Sequence, residues 1–218
     1  IIESGKLFKT ICKKIIFTEI LEAELVKLFS NAYRYINFSI SNQFYMICQN
    51  QNLNFFKIRD IMREGYMRNA NIPESGFTAG PCLLKDTMQL SSFYNHRFKL
   101  GHAAMSVNEG IPEFIIKKLQ KKYDLKKKVV GVLGLTFKAE TDDIRDSLAI
   151  KLVKLLKSKK IKTFQSDEFY NNEKNISKKD LVKKSDIIIL ATPHKAYKNL
   201  KISKNKIVVD IWGLIENK

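Results

Sequence analysis

A chain of 218 residues that is 44% hydrophobic and 11% aromatic can bury the core of one large or two small domains, which argues against intrinsic disorder. The formal charge of +17 invites a nucleic-acid reading, but 33 of the 39 basic residues are Lys and only 6 are Arg. Phosphate and base readers enrich Arg for its bidentate fork, so a Lys-rich solvated surface accounts for the charge and no nucleic-acid partner is expected.

No apolar run approaches the roughly 20 residues a membrane helix needs, so no membrane partner is expected either. The chain opens Ile1-Ile2-Glu3-Ser4-Gly5 without a charged-then-apolar leader, which predicts a cytoplasmic protein cut from something longer. Cys12, Cys48 and Cys82 form no C-x-x-C and no His stands at ligand spacing with them. Reduced thiols and no metal site are the expectation.

From Glu19 to Asn50 the residues Leu21, Leu25, Leu28, Ala32, Ile36, Ile40, Phe44 and Ile47 recur at three- and four-residue steps, one face of a long helix. A second helix is predicted over Phe55–Met67, followed by a turn-rich loop from Pro73 to Cys82. Helices resume over Leu83–Tyr94 and Leu100–Tyr123, the latter bent or broken near Pro112. At Lys126 the pattern changes. Val129–Leu135, Ile161–Phe164, Ile187–Ala191 and Ile207–Ile211 read as strands. Helical stretches at Ser147–Lys159, Lys178–Lys184 and His194–Leu200 lie between them. That alternation predicts a doubly wound parallel α/β sheet, so a helical domain over 1–125 precedes an α/β domain over 126–218.

Three groups of residues can carry chemistry. Gly131-x-x-Gly134 opens the α/β part without the third glycine of a dinucleotide fingerprint. The following loop, at the carboxyl edge of a strand, carries Phe137, Lys138 and Arg145, which suit a base and phosphates. Pairing of Arg145 with Asp142 or Asp143 on a plain surface loop is the alternative. On the long helix Lys27, Asn31 and Arg34 share one face, pointing either into a site or to solvent with Glu24 beside Lys27. Cys82 stands at a helix start with Asp86 one turn on, where the helix terminus and nearby cations favour thiolate.

Four segments in order resemble the UDP-glucose/GDP-mannose dehydrogenase family, in particular its UDP-glucose and UDP-N-acetylmannosamine 6-dehydrogenases. They are Glu22–Asn31, Arg68–Asp86 with its Gly-Pro-Cys-Leu-Leu-Lys-Asp, Gly134–Ser147, and Asp186–His194 with Val208–Gly213. The resemblance implies an all-helical central dimerisation domain, with a homodimer formed through helix 19–50, followed by a Rossmann-like UDP-sugar domain. The implied activity is NAD-dependent oxidation of a UDP-hexose or UDP-N-acetylhexosamine C6 alcohol to the uronate. In it Cys82 is the nucleophile of a thioester, Lys27 and Asn31 stabilise oxyanion charge, and Asp86 orients water. By the same resemblance Arg34, Tyr66, Arg68, Phe77, Gly80, Phe137, Lys138 and Arg145 contact the nucleotide sugar.

The sequence departs from the family pattern at Ala79, where the loop usually has Gly, at Tyr66, where one branch has His, and at Trp212, where many members are basic. Arg34 and Arg68 look like the N-acetylhexosamine branch and Cys82–Asp86 like the glucose branch, which leaves the sugar open. The family's NAD domain, with its G-x-G-x-x-G, has no counterpart in these residues. NAD is therefore expected to bind outside them and the chain alone to be inactive; a UDP-sugar-binding or partner-binding remnant is the alternative.

Overall fold

The computed structural model describes residues 2–78 and 80–215. Helix α1 spans Ile2–Phe8 and α2 spans Ile20–Asn50, the latter begun by the Glu22 carboxylate accepting the Glu19 N–H at 3.3 Å. Asn54 caps α3, Phe55–Arg63, by accepting from the Phe56 and Lys57 N–H groups. This helix is shorter than the predicted Phe55–Met67. Gly65 sits at φ +65°, which no α-helix continues through, and Met67–Asn69 forms a separate 3-10 turn.

Helix α4 covers Leu83–Phe93 and α5 covers Lys99–Lys122. The expected interruption at Pro112 does not occur. Losing one backbone hydrogen bond and crowding the preceding turn costs about 3 kcal/mol. Burial of Ile111, Pro112, Ile115 and Ile116 along the same stretch offsets it, since each fully buried aliphatic side chain contributes about 1.5–3 kcal/mol.

A 3-10 turn at Leu125–Lys127 leads into β1, Val129–Leu133. Then follow α6, Leu148–Ser158; β2, Lys162–Ser166; α7, Lys178–Lys184; β3, Ile187–Leu190; and β4, Ile207–Asp210. All pairings are parallel and the strand order is β2-β1-β3-β4, with Val130 opposite both Thr163 and Ile187. The helix expected over His194–Leu200 reduces to a 3-10 turn at Lys195–Tyr197, because His194 and Tyr197 are both drawn fully inside the sheet's carboxyl edge.

Alternation along the strands assigns the two faces. Val130, Val132, Ile187 and Ile189 look toward α6 and share a core with Leu152 and Leu156. Leu133, Ile188 and Leu190 look the other way, onto Leu181 of α7 and Tyr197. The first core continues into Tyr45, Phe55, Ile111 and Ile115, so packing runs across residue 125 without a gap. Connections leave β1 toward β2 on one side, while β3 lies on the other. Such a reversal opens a crevice at the carboxyl ends of β1 and β3, where open α/β sheets take ligands.

Candidate functional site

The loop after β1 reaches that crevice, and the turn before α4 meets it. Gly80 lies at φ +106°, and a Cβ there would stand 2.6 Å from the Phe137 ring. Only glycine lets the Pro73–Cys82 loop take this conformation with the aromatic against it. Beneath it, Asn42 and Asn108 are fully buried. The Asn42 Nδ2 donates to Asn108 Oδ1 at 2.8 Å, and Asn42 Oδ1 accepts the Gly76 N–H at 2.8 Å. The Ser75 hydroxyl donates to the Ile211 carbonyl, and Trp212 lies over Gly76 with its Nε1 donating to the Ala191 carbonyl. Trp212 thus ties the loop to the sheet. Ala79 lies outside the described residues.

Lys27 and Asn31, one turn apart on α2, converge on one atom of α4. Lys27 Nζ and Asn31 Nδ2 each stand 2.6 Å from Asp86 Oδ2. Lys27 therefore pairs across helices rather than with Glu24. Asp86 is 1% exposed, and Lys85 Nζ lies 3.5 Å from its Oδ1, which accepts no hydrogen bond. Burial pushes the Asp86 carboxyl up. The hydrogen bonds from Lys27 and Asn31 and the charges of Lys27 and Lys85 outweigh it, leaving the group below the ordinary carboxylate range. Lys27 is held above the ordinary lysine value, first by its hydrogen bond to Asp86, with the charges of Asp86 and Cys82 adding to it.

Cys82 is the exposed residue preceding the first turn of α4, its carbonyl accepting the Asp86 N–H at 2.8 Å. Cys82 lies within electrostatic reach of both Lys27 on the helical side and Arg145 on the sheet side. Arg145 forms a forked pair with Asp143, Nη2 to Oδ2 at 2.6 Å and Nε to Oδ1 at 3.0 Å, as the plain-loop alternative anticipated. The two readings meet here, because the paired guanidinium is 71% exposed and still within electrostatic reach of the thiol.

The remaining candidates divide. Phe77 is buried in the core. Arg34, Tyr66, Arg68 and Lys138 are exposed, and among the described residues their side chains make no hydrogen bond or ion pair. Sequence reasoning missed two buried groups at the crevice, Asp167 and His194, whose contact is 3.2 Å. A signal existed: Asp167 directly follows β2 at the carboxyl edge of the sheet.

The glycines of Gly131-x-x-Gly134 serve packing. A Cβ at Gly131 would lie 2.4 Å from Leu181 Cδ2, and one at Gly134 2.4 Å from the Thr192 Cβ. No helix starts directly after them, since α6 begins at Leu148. These residues do not fit a dinucleotide cradle. No group of three or more His, Cys, Asp and Glu among the described residues could hold a metal, and no described helix is long and apolar enough to cross a membrane.

Residues 21–110 match a family model described as "UDP-glucose/GDP-mannose dehydrogenase family, central domain", and residues 131–217 match the same family's UDP binding domain. The UDP-N-acetyl-D-mannosamine dehydrogenase of Pyrococcus horikoshii is 28% identical over 97% of this chain and 53% of its own length. The UDP-glucose 6-dehydrogenase of Rickettsia felis is 31% identical over 94% of this chain and 51% of its own. The solved structure of UDP-D-ManNAc dehydrogenase from P. horikoshii superposes with a TM-score of 0.86 at 27% identity, covering 99% of this chain and 54% of that one. The chain spans about half the length of the curated relatives it matches.

Proposed function

Because the chain belongs to the UDP-glucose/GDP-mannose dehydrogenase family, we propose that its crevice takes a UDP-sugar and that Cys82 is the nucleophile in oxidation of the sugar's C6 to a carboxylate. The observation that carries this reading is the convergence of Lys27 and Asn31 on Asp86 one turn beyond Cys82, with Arg145 within electrostatic reach of the same cysteine. A binding module needs no such arrangement. Addition of the thiolate to a C6 aldehyde forms the C–S bond and turns the carbonyl oxygen into an oxyanion. Lys27 and Asn31 each retain N–H groups beyond the one given to Asp86, and in this reading these serve the developing charge. The unpartnered Oδ1 of Asp86 accepts from the water that later cleaves the thioester, which breaks the C–S bond and returns the thiol. The C6 alcohol gives up one hydride to become the aldehyde, and the thiohemiacetal gives up a second to become the thioester. The hydride acceptor, NAD by family, has no cradle among these residues.

Phe137, Lys138 and Arg145 take the nucleotide in this proposal, with Arg34, Tyr66 and Arg68 at the sugar. Residues 1–125 are read as the dimerisation domain. The face of α2 bearing Val26, Phe29, Tyr33, Ile40 and Phe44 is exposed, and an apolar groove of about 430 Å³ lies between Phe29, Tyr33, Leu90 and Phe98. We assign this face to a second copy of the chain.

Titration calorimetry of the chain with UDP, UDP-glucose, a UDP-N-acetylhexosamine and an oligonucleotide tests the reading. UDP and at least one UDP-sugar are expected to bind, with Cys82 shielded from alkylation by the sugar. Absence of UDP and UDP-sugar binding would remove the proposal, and salt-sensitive oligonucleotide binding would replace it.

A further inference from the structure

Two of the most buried polar side chains at the sheet's carboxyl edge take no part in the proposed chemistry. His194 and Asp167 are completely enclosed, with 0% side-chain exposure each, and neither reaches Cys82 or the crevice surface. Among their hydrogen bonds are three to the backbone of the segment that bears Phe137, Lys138 and Arg145.

The bonding pattern determines the protonation of the imidazole. His194 Nδ1 lies 3.1 Å from the Glu140 backbone N, a donor, so Nδ1 carries a lone pair. The ring proton therefore sits on Nε2, which faces Asp167 Oδ2 at 3.2 Å and the Thr136 hydroxyl oxygen at 3.3 Å. That hydroxyl gives its own proton to the Lys138 carbonyl at 2.8 Å, so it is free to accept from the ring. Asp167 Oδ2 also takes the Leu135 N–H at 2.5 Å and the Thr136 N–H at 3.3 Å. Its Oδ1 takes those of Phe169 and Tyr170 at 2.8 and 2.9 Å. Burial raises the Asp167 carboxyl, but the bonds from His194 and these backbone groups prevail and keep it ionised.

The loop needs such restraint. Glu140 sits at φ +59°, a conformation an L side chain resists. It is gripped at both ends: its N–H by His194, and its carboxylate Oε1 by the Lys195 N–H at 3.0 Å. Phe169 lies with its ring centroid 5.0 Å from the imidazole, and Tyr197 meets the ring edge-on at 5.4 Å, leaving it no room to turn over. We propose that the His194–Asp167 pair is a positioning device that locks the 135–146 loop, and through it Phe137, Lys138 and Arg145, in the form that receives the nucleotide. His194 acts as the neutral Nε2–H tautomer. It is a positioning residue, since its side-chain hydrogen bonds run only to Asp167 and to the loop.

The consequence for ligand binding rests on the UDP-sugar reading given above, and the test separates the two. His194→Gln can still donate to Asp167 but offers no acceptor to Glu140; His194→Asn keeps an acceptor near the Nδ1 position. In the full chain, amide hydrogen exchange across 135–146 is expected to accelerate in His194→Gln and to stay nearer wild type in His194→Asn. Exchange in α2 and α5, away from the loop, should be unchanged. UDP affinity measured by calorimetry should fall about tenfold in His194→Gln, the size of one lost hydrogen bond's worth of preorganisation. If wild type binds no UDP, the nucleotide reading fails while the exchange data still decide the lock. If wild type binds UDP and His194→Gln binds equally well with an equally protected loop, the positioning role is overturned. Should the variants not fold, long-range proton–nitrogen correlation on the wild-type imidazole decides. A protonated Nε2 with bare Nδ1 supports the lock, and the Nδ1–H tautomer or an imidazolium removes it.

Discussion

The helical and α/β parts hold their site residues in opposite ways. On α2 and α4 the candidate side chains are themselves fixed: Lys27 and Asn31 are both hydrogen-bonded to a buried carboxylate, and helix geometry sets the spacing. On the loop after β1 the backbone is fixed while the side chains are free. Lys138 is exposed and Arg145 is held only by its neighbour Asp143, but the loop's amides and carbonyls are bound by Asp167, His194, Thr192 and Ser147. Bond-making chemistry needs reacting groups placed closely, whereas a phosphate is met by long side chains that can adapt. The difference teaches that rigidity sits where each task requires it.

The largest test of that contrast is Asp86→Ala. Removing the shared acceptor leaves two donors beside an emptied buried position, and unfolding free energy is expected to fall by about 2–3 kcal/mol by chemical denaturation. The same residue sets a pH dependence. Its folded carboxyl lies below the ordinary value of 3.8, so its contribution is full above that value and is lost as pH falls through the depressed one. Asp86→Asn should therefore flatten the acid limb of the stability curve below about pH 4. Unaltered stability in both variants would dissolve the contrast.

Next is Asn108→Ala, which strips Asn42 of its partner and leaves the Tyr35 carbonyl without the Asn108 Nδ2. A loss of about 1–3 kcal/mol is expected, with faster amide exchange at Gly76, whose N–H is held by Asn42. On the sheet side, Arg145→Ala should weaken UDP binding about tenfold while leaving stability nearly unchanged, because its pair with Asp143 is a surface one. An Arg145 variant that unfolds the protein without touching UDP affinity would reverse the assignment. The smallest expected effect on stability is that of Cys82→Ser, within about 0.5 kcal/mol for an exposed residue. It should nonetheless abolish the fast phase of iodoacetamide labelling. Exposed Cys12 then labels slowly and buried Cys48 slowest. Equal rates at Cys12 and Cys82 in the unmodified chain would argue against an activated thiol.

Much of this was legible in one dimension. Apolar spacing located α2 to within a residue, although of that stripe only Ala32 is buried. Short apolar runs located each strand, because a strand buried on both faces reads as a continuous apolar run. The candidate cluster was legible too: Lys27 and Asn31 share a helix face, and Cys82 and Asp86 are one turn apart. What failed was governed by distant partners. The continuity of α5 through Pro112 depends on packing against the core, and the inward turn of His194 removed a helix that local propensity favoured.

The sequence by itself determined the elements, the family and the chemical types at the site, since periodicity and motif spacing are local properties. Only the tertiary structure decided that Lys27 pairs with Asp86 rather than Glu24, and that Asp167 and His194 are hydrogen-bonded to the loop after β1. These are contacts between residues up to 59 positions apart, and hydrogen-bond partners at such separation are chosen by how helices and strands pack, which no stretch of sequence records.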